Sequence, residues 1–116
     1  MTRDDILEAA AQVFRQKGFH GASMADIAGA VNLQKASLYH HVSSKQEILF
    51  ELLDRALELL LERISPIADL DLPADERLCQ MIRDYLQILA ENTDLSAVLL
   101  FEHRSLEGRQ HALRSL

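Results

Sequence analysis

Gln34, Lys35, Ser37, Tyr39, His40 and His41 crowd into positions 34–41 of the chain. Together they supply an amide that donates and accepts, an ammonium, a hydroxyl, a phenol and two imidazoles. Such a set on one exposed edge suits hydrogen bonding to base edges and phosphate oxygens, with the Tyr39 ring adding apolar contact. Lys45 follows at the start of the next expected helix, where a cation would sit beside free backbone N–H groups and meet a phosphate. The plainer alternatives are a solvated surface role for His40 and His41 and half-buried packing for Tyr39.

Other constellations carry weaker chemistry. His103, Glu107 and His111 stand at i, i+4 and i+8, a spacing that lines up metal ligands on one helix face, although Gly108 weakens a helix there. Surface roles are the simpler reading, and a metal-responsive regulator is kept as one alternative. Met81, Tyr85 and Phe101 are candidates to line an effector pocket, against the usual reading of helical-period apolar residues as core. Cys79 stands alone, which excludes an intramolecular disulfide framework. Neither Ser23 nor Ser37 lies in a G-x-S-x-G elbow, and there is no glycine-rich phosphate loop, so no enzyme activity and no cofactor are expected.

The elements that must position these groups are helices. Thr2 opens the first, with Asp5 at the capping-box position and Ile6, Ala9, Ala10, Val13 and Phe14 at helical spacing; Lys17-Gly18 ends it. Ser23, with Asp26 three residues on, opens a short second helix from Met24 to about Val31. Asn32 is a residue that tolerates positive φ, and Leu33 can turn inward to plug the corner. A third helix of two turns then runs from Gln34 or Lys35 to Val42, with Leu38 and Val42 toward the core. Two short helices joined by a tight corner, the second polar and exposed, describe a helix-turn-helix. Ala28 is small enough to let them approach, and a major groove about 12 Å wide admits the second helix.

Ser44-Lys45-Gln46-Glu47 reads as a further capping box, opening a fourth, strongly apolar helix to about Ile64. Pro66 and Pro73 bracket an expected break with Asp69 and Asp71, beyond which Asp75 and Glu76 continue a solvated acidic stretch. A fifth helix is expected from Ala74 to Asn92, with Leu78, Met81, Ile82, Tyr85, Leu86 and Leu89 on one side. A sixth is expected from Leu95 to about His103, and a seventh, interrupted by Gly108, still runs at Leu116. The fold class is therefore all-α: an N-terminal three-helix bundle with a helix-turn-helix at 1–46, a long linking helix, and an incomplete antiparallel helical body at 47–116.

Charge divides the same way. The chain has 116 residues, 48% of them hydrophobic and 26% charged, and a net charge of −6. Residues 1–50 balance Arg3, Arg15, Lys17, Lys35 and Lys45 against Asp4, Asp5, Glu8, Asp26 and Glu47, so the deficit lies in the body. A local patch of the head can meet phosphate while the body repels it. No apolar run approaches the roughly 18 residues of a membrane span and no signal peptide opens the chain, so a cytoplasmic protein without membrane contact is expected. A helical protein-interaction module without DNA affinity is the remaining alternative.

The run Ser23-Met24-Ala25-Asp26-Ile27-Ala28, then Leu38-Tyr39-His40-His41-Val42-Ser43-Ser44-Lys45-Gln46-Glu47-Ile48-Leu49, resembles the DNA-binding head of the tetracycline-repressor (TetR) family. Ala9 to Phe19 is similar to that family's first helix. The family usually has Gly at the position of Asn32, often Gly at Ala36 and Phe at Val42. The resemblance implies a homodimeric, ligand-released repressor that binds a near-palindromic operator in double-stranded DNA and associates with the bacterial nucleoid. By position it makes Gln34, Lys35, Ser37, Tyr39, His40 and Lys45 DNA contacts, with Ser23 and Met24 at the start of the preceding helix. It also implies a helical body that binds a small effector. Leu99 to Leu106 resembles regulators of fatty-acid or steroid catabolism, which implies an acyl-CoA thioester as that effector.

Overall fold

A computed structural model of the chain describes residues 1–102, and those residues are helices and turns. His103, Glu107 and His111, the candidate metal ligands, lie outside the described residues. In order, the elements are α1 (Arg3–Lys17), α2 (Met24–Ala30), α3 (Lys35–Leu38), α4 (Lys45–Ala68) and α5 (Ala74–Glu91), followed by a sixth helical stretch, α6, over 93–102. No described helix is long and apolar enough to cross a membrane.

The caps of the head are built as their residue types dictate. At α1 the Thr2 hydroxyl accepts from the Asp5 N–H and the Asp5 carboxylate accepts from the Thr2 N–H; Ser23 and Asp26 repeat the arrangement at α2. Gly18 ends α1 at φ 74, a left-handed conformation that a side chain would disfavour. Gly21 is needed for a different reason, since a Cβ there would meet the Lys17 carbonyl oxygen at 2.4 Å. Asn32 takes φ 57 as its residue type allows. Around it the Leu33 N–H donates to the Ala28 carbonyl (2.9 Å) and the Asn32 N–H to Gly29 (3.3 Å). That pair of bonds is a Schellman motif, and it satisfies carbonyls that the end of α2 would otherwise leave open.

One core joins these elements. Ile6, Ala10 and Phe14 of α1, Ile27 and Ala28 of α2, Leu38 and Val42 from the third segment, and Ile48, Leu49, Leu52 and Leu53 of α4 share it. The packing of the head thus reaches past residue 46 into the first turns of α4. Val98 of α6 enters the same cluster and is 2% exposed. On that face of α6, Asp94 accepts from Arg15 (2.8 Å) and Glu102 from the Phe19 N–H (3.0 Å). Spacing of i, i+4 and i+8 puts Asp94, Val98 and Glu102 on one stripe, so α6 docks its length on the head.

Two boundaries differ from expectation. The third helix has only one turn, Lys35–Leu38; after it the His40 and His41 N–H groups bond back to Ser37 and Leu38, a tighter i→i−3 pattern, before Val42 reaches Leu38. Conversely, α4 does not stop at Ile64 but carries Pro66 within it to Ala68. Proline removes one donor and one intrahelical bond. Here Glu62 and Pro66 are both exposed, so water can reach the freed carbonyl, and Ile67 beyond it is buried. The Arg77 guanidinium then caps the end of α4 by donating to the Ala68 carbonyl at 3.0 Å. From there α5 returns antiparallel along α4, with Arg63 and Glu91 paired at 3.2 Å.

Candidate nucleic-acid interface

The edge of the molecule at 34–41 is built on two buried anchors. Leu38 is fully buried and Val42 is 2% exposed, so the residues between and before them are turned outward. Gln34, Lys35, His40 and His41 are exposed, Ser37 is half-buried, and Tyr39 keeps 47% of its surface free. Gln34 is the N-cap of α3 but its side chain makes no capping hydrogen bond, which leaves its amide available. Burying Leu38 beneath a one-turn helix therefore presents the polar set as a ridge, as the alternation of residue types requires.

Two of the expected contacts, Met24 and Lys45, are placed differently, and a third, Ser23, also serves as a cap. Ser23 is exposed, with its hydroxyl already accepting from the Asp26 N–H. Met24 is 7% exposed and its side chain packs in the head core, beneath the interface. Lys45 is not a free cation. Its ammonium donates to the Phe19 carbonyl (2.7 Å) and the Ala22 carbonyl (3.1 Å), and lies 4.3 Å from the centre of the Phe19 ring. Phe19 in turn stands edge-on to Phe14 at 5.5 Å. Lys45 thus fastens the connector between α1 and α2 to the start of α4, with part of its charge still facing outward. Nothing in the local sequence signals that bond, because its acceptors are backbone carbonyls more than twenty residues away.

The acids near the ridge are paired. Asp26 accepts from the Lys17 ammonium at 3.0 Å, which with the Ser23 hydroxyl and N–H holds its carboxyl below the usual range. Glu47 does not complete a capping box with Ser44; Ser44 accepts from the Glu47 N–H, but the Glu47 carboxylate turns to Ser43 and Arg3. The Ser43 hydroxyl foremost, then Arg3, bring its pKa down to about 2, so it stays ionised throughout the neutral range. Each of these carboxylates already has a cationic partner, which limits its repulsion of an approaching polyanion.

The candidate effector lining is not assembled. Tyr85 does line a narrow apolar cleft between α4, α5 and α6 with Ala56, Leu60, Ile88, Leu95 and Leu99, of about 10 Å3, room for a single water. Met81 lies a turn away and is not part of it, and Phe101 is 78% exposed. The reason is angular: Leu95 and Leu99 face inward, and two residues further on is about 200° round the helix. The expected apolar side of α5 also divides, with Met81, Tyr85 and Leu89 half-buried while Leu78, Ile82 and Leu86 are exposed; the buried residue of α5 is Ile88, outside the expected set. Among the described residues no cluster of His, Cys, Asp and Glu could hold a metal ion.

Comparison with known proteins agrees with this architecture. Residues 6–52 match the family described as "Bacterial regulatory proteins, tetR family". The HTH-type transcriptional repressor KstR2 of Mycobacterium tuberculosis is 38% identical over 76 residues, 66% of this chain and 38% of its own. The structure of that ketosteroid regulator superposes with a TM-score of 0.85 at 29% identity, over 91% of this chain and 54% of the other. The TetR-family regulator PfmR of Thermus thermophilus gives 0.79 at 35% identity, over 95% and 62%. AibR, solved with isovaleryl coenzyme A and operator DNA, gives 0.78 at 32%, over 87% and 55%. The chain spans little more than half the length of these solved relatives, and the family match falls on the elements that carry the polar ridge. Over residues 6–52, the chain is similar to the tetR family of bacterial regulatory proteins.

Proposed function

We propose that the protein is a sequence-specific DNA-binding transcriptional regulator that inserts the segment 34–42 into the major groove. One observation carries this reading: a short segment rich in hydrogen-bonding side chains is held outward on the buried Leu38 and Val42, at a corner shaped by Asn32. Gln34 and Lys35 lead the segment and would read base edges; Ser37, Tyr39 and His40 flank it, and Ser23 and His41 sit at its borders where phosphates pass. Two copies in a homodimer would set their segments in successive major grooves, about 34–36 Å apart, on a near-palindromic operator.

The body is proposed to bind a small effector that releases DNA. AibR is a similar chain captured with both an acyl-CoA and operator DNA, and KstR2 is a ketosteroid regulator. These support an acyl-CoA thioester as the class of effector here. Selection of duplexes from a random pool by the full chain tests the reading. The expected product is an inverted repeat, and Gln34→Ala or Lys35→Ala should change which bases are recovered at a few symmetric positions. Recovery of no enriched sequence would defeat it.

A further inference from the structure

Arg3 is placed oddly for a solvent cation. It is the first residue of α1, where the helix dipole disfavours positive charge and where Asp4 and Asp5 follow it in the favoured sign. Its guanidinium leaves α1 altogether. Nε and one terminal nitrogen fork onto Glu51 at 3.0 and 2.6 Å, and the same terminal nitrogen reaches Glu47 at 2.9 Å. The other terminal nitrogen donates to the His41 carbonyl, at the exit of the recognition segment. Glu47 meanwhile accepts from the N–H and the hydroxyl of Ser43. Residues 41 and 43 are therefore both tied to one guanidinium–carboxylate cluster.

That tie matters because of what α3 lacks. A helix of one turn has too few internal bonds to hold its own direction, and Leu38 and Val42 fix only its underside. We propose that Arg3 is a positioning residue for the recognition segment: by joining the His41 carbonyl to Glu47 and Glu51 of α4, it sets the angle at which Tyr39 and its neighbours meet DNA. The inference rests on the DNA-binding reading above. An isolated surface ion pair would contribute little, but this one is a planar fork shared among two carboxylates and a carbonyl. Lysine keeps the charge and cannot reproduce the fork. Four of its five N–H groups are committed inside the cluster, so the proposed role of Arg3 does not require it to touch phosphate itself.

The test measures affinity of the full chain for a duplex selected by the wild type and for an unrelated duplex, across a range of salt. Arg3→Lys and Arg3→Gln should each lose about tenfold or more on the selected duplex. Arg3→Lys should bind the unrelated duplex as the wild type does, with its salt slope unchanged. Glu51→Gln, which weakens the fork from the α4 side and leaves the sequence of α1 unchanged, should weaken selected binding in the same direction, and it carries the test should an Arg3 variant fail to fold. Wild-type affinity in Arg3→Lys would overturn the proposal, since charge alone would then suffice. A slope reduced by about 0.9 would also overturn it, because that is the signature of a lost phosphate contact. Tyr39→Ala separates the two levels: if it weakens binding while the Arg3 variants do not, positioning alone fails, and if it too binds normally, the DNA reading fails with it.

Discussion

At the scale of single residues, the same side chain type does different work according to where its donors end. Lys35 and Lys45 are both expected DNA contacts, and Lys35 is exposed. Lys45 instead spends two donors on Phe19 and Ala22 and rests on the Phe19 ring, so its removal should be felt in folding as well as in binding. Lys45→Ala is expected to cost about 1–2 kcal/mol, since charge-assisted bonds to carbonyls are lost from a half-exposed site. Urea unfolding followed by circular dichroism checks this; a midpoint equal to the wild type would show the two bonds to be idle. Met24 makes the converse point. Next to a cap it reads as a helix-start contact, yet its apolar side chain is worth more inside, where it sits.

At the scale of elements, the corner between α2 and α3 decides where the ridge points. Asn32 holds φ 57 and the two Schellman bonds close around it. Asn32→Gly should leave stability nearly unchanged, whereas Asn32→Val should lose about 1–2 kcal/mol, because a β-branched residue resists the left-handed region. Thermal melts of the two variants measure it, and equal melting temperatures would remove the corner's special role. This corner was legible in the sequence, as were the caps at Thr2 and Ser23, because each depends on residues three to five apart. What was not legible is whatever depends on distant partners. The reach of α4 through Pro66 relies on open solvent at Glu62 and on Ile67 finding cover, and the shortness of α3 relies on Ser37 and Leu38 accepting from the following turn. The scattering of Met81, Tyr85 and Phe101 follows from helix rotations that a one-dimensional period blurs across a turn.

At the scale of the molecule, the body holds the head at two places. One is α4, whose first turns lie in the head's core; the other is α6, which meets α1 and the connector through Asp94, Val98 and Glu102. An effector that shifts α6 would pull on Phe19, whose carbonyl is fastened by Lys45, beside the start of α2. Charge is arranged to suit such a division, with balanced signs in residues 1–50 and an acidic excess beyond. Ligand release of DNA by this route requires about 5.5 kcal/mol of preference for the released form to move the equilibrium from 1:99 to 99:1. All of this depends on the ridge at 34–41 entering a duplex, and the salt dependence of binding to a selected duplex addresses that most directly. For the wild type, log K should fall linearly with log salt at about −0.9 per phosphate neutralised, and Tyr39→Ala should bind more weakly at every salt concentration with an unchanged melting temperature. A flat salt response, with Tyr39→Ala indistinguishable from the wild type, would contradict it.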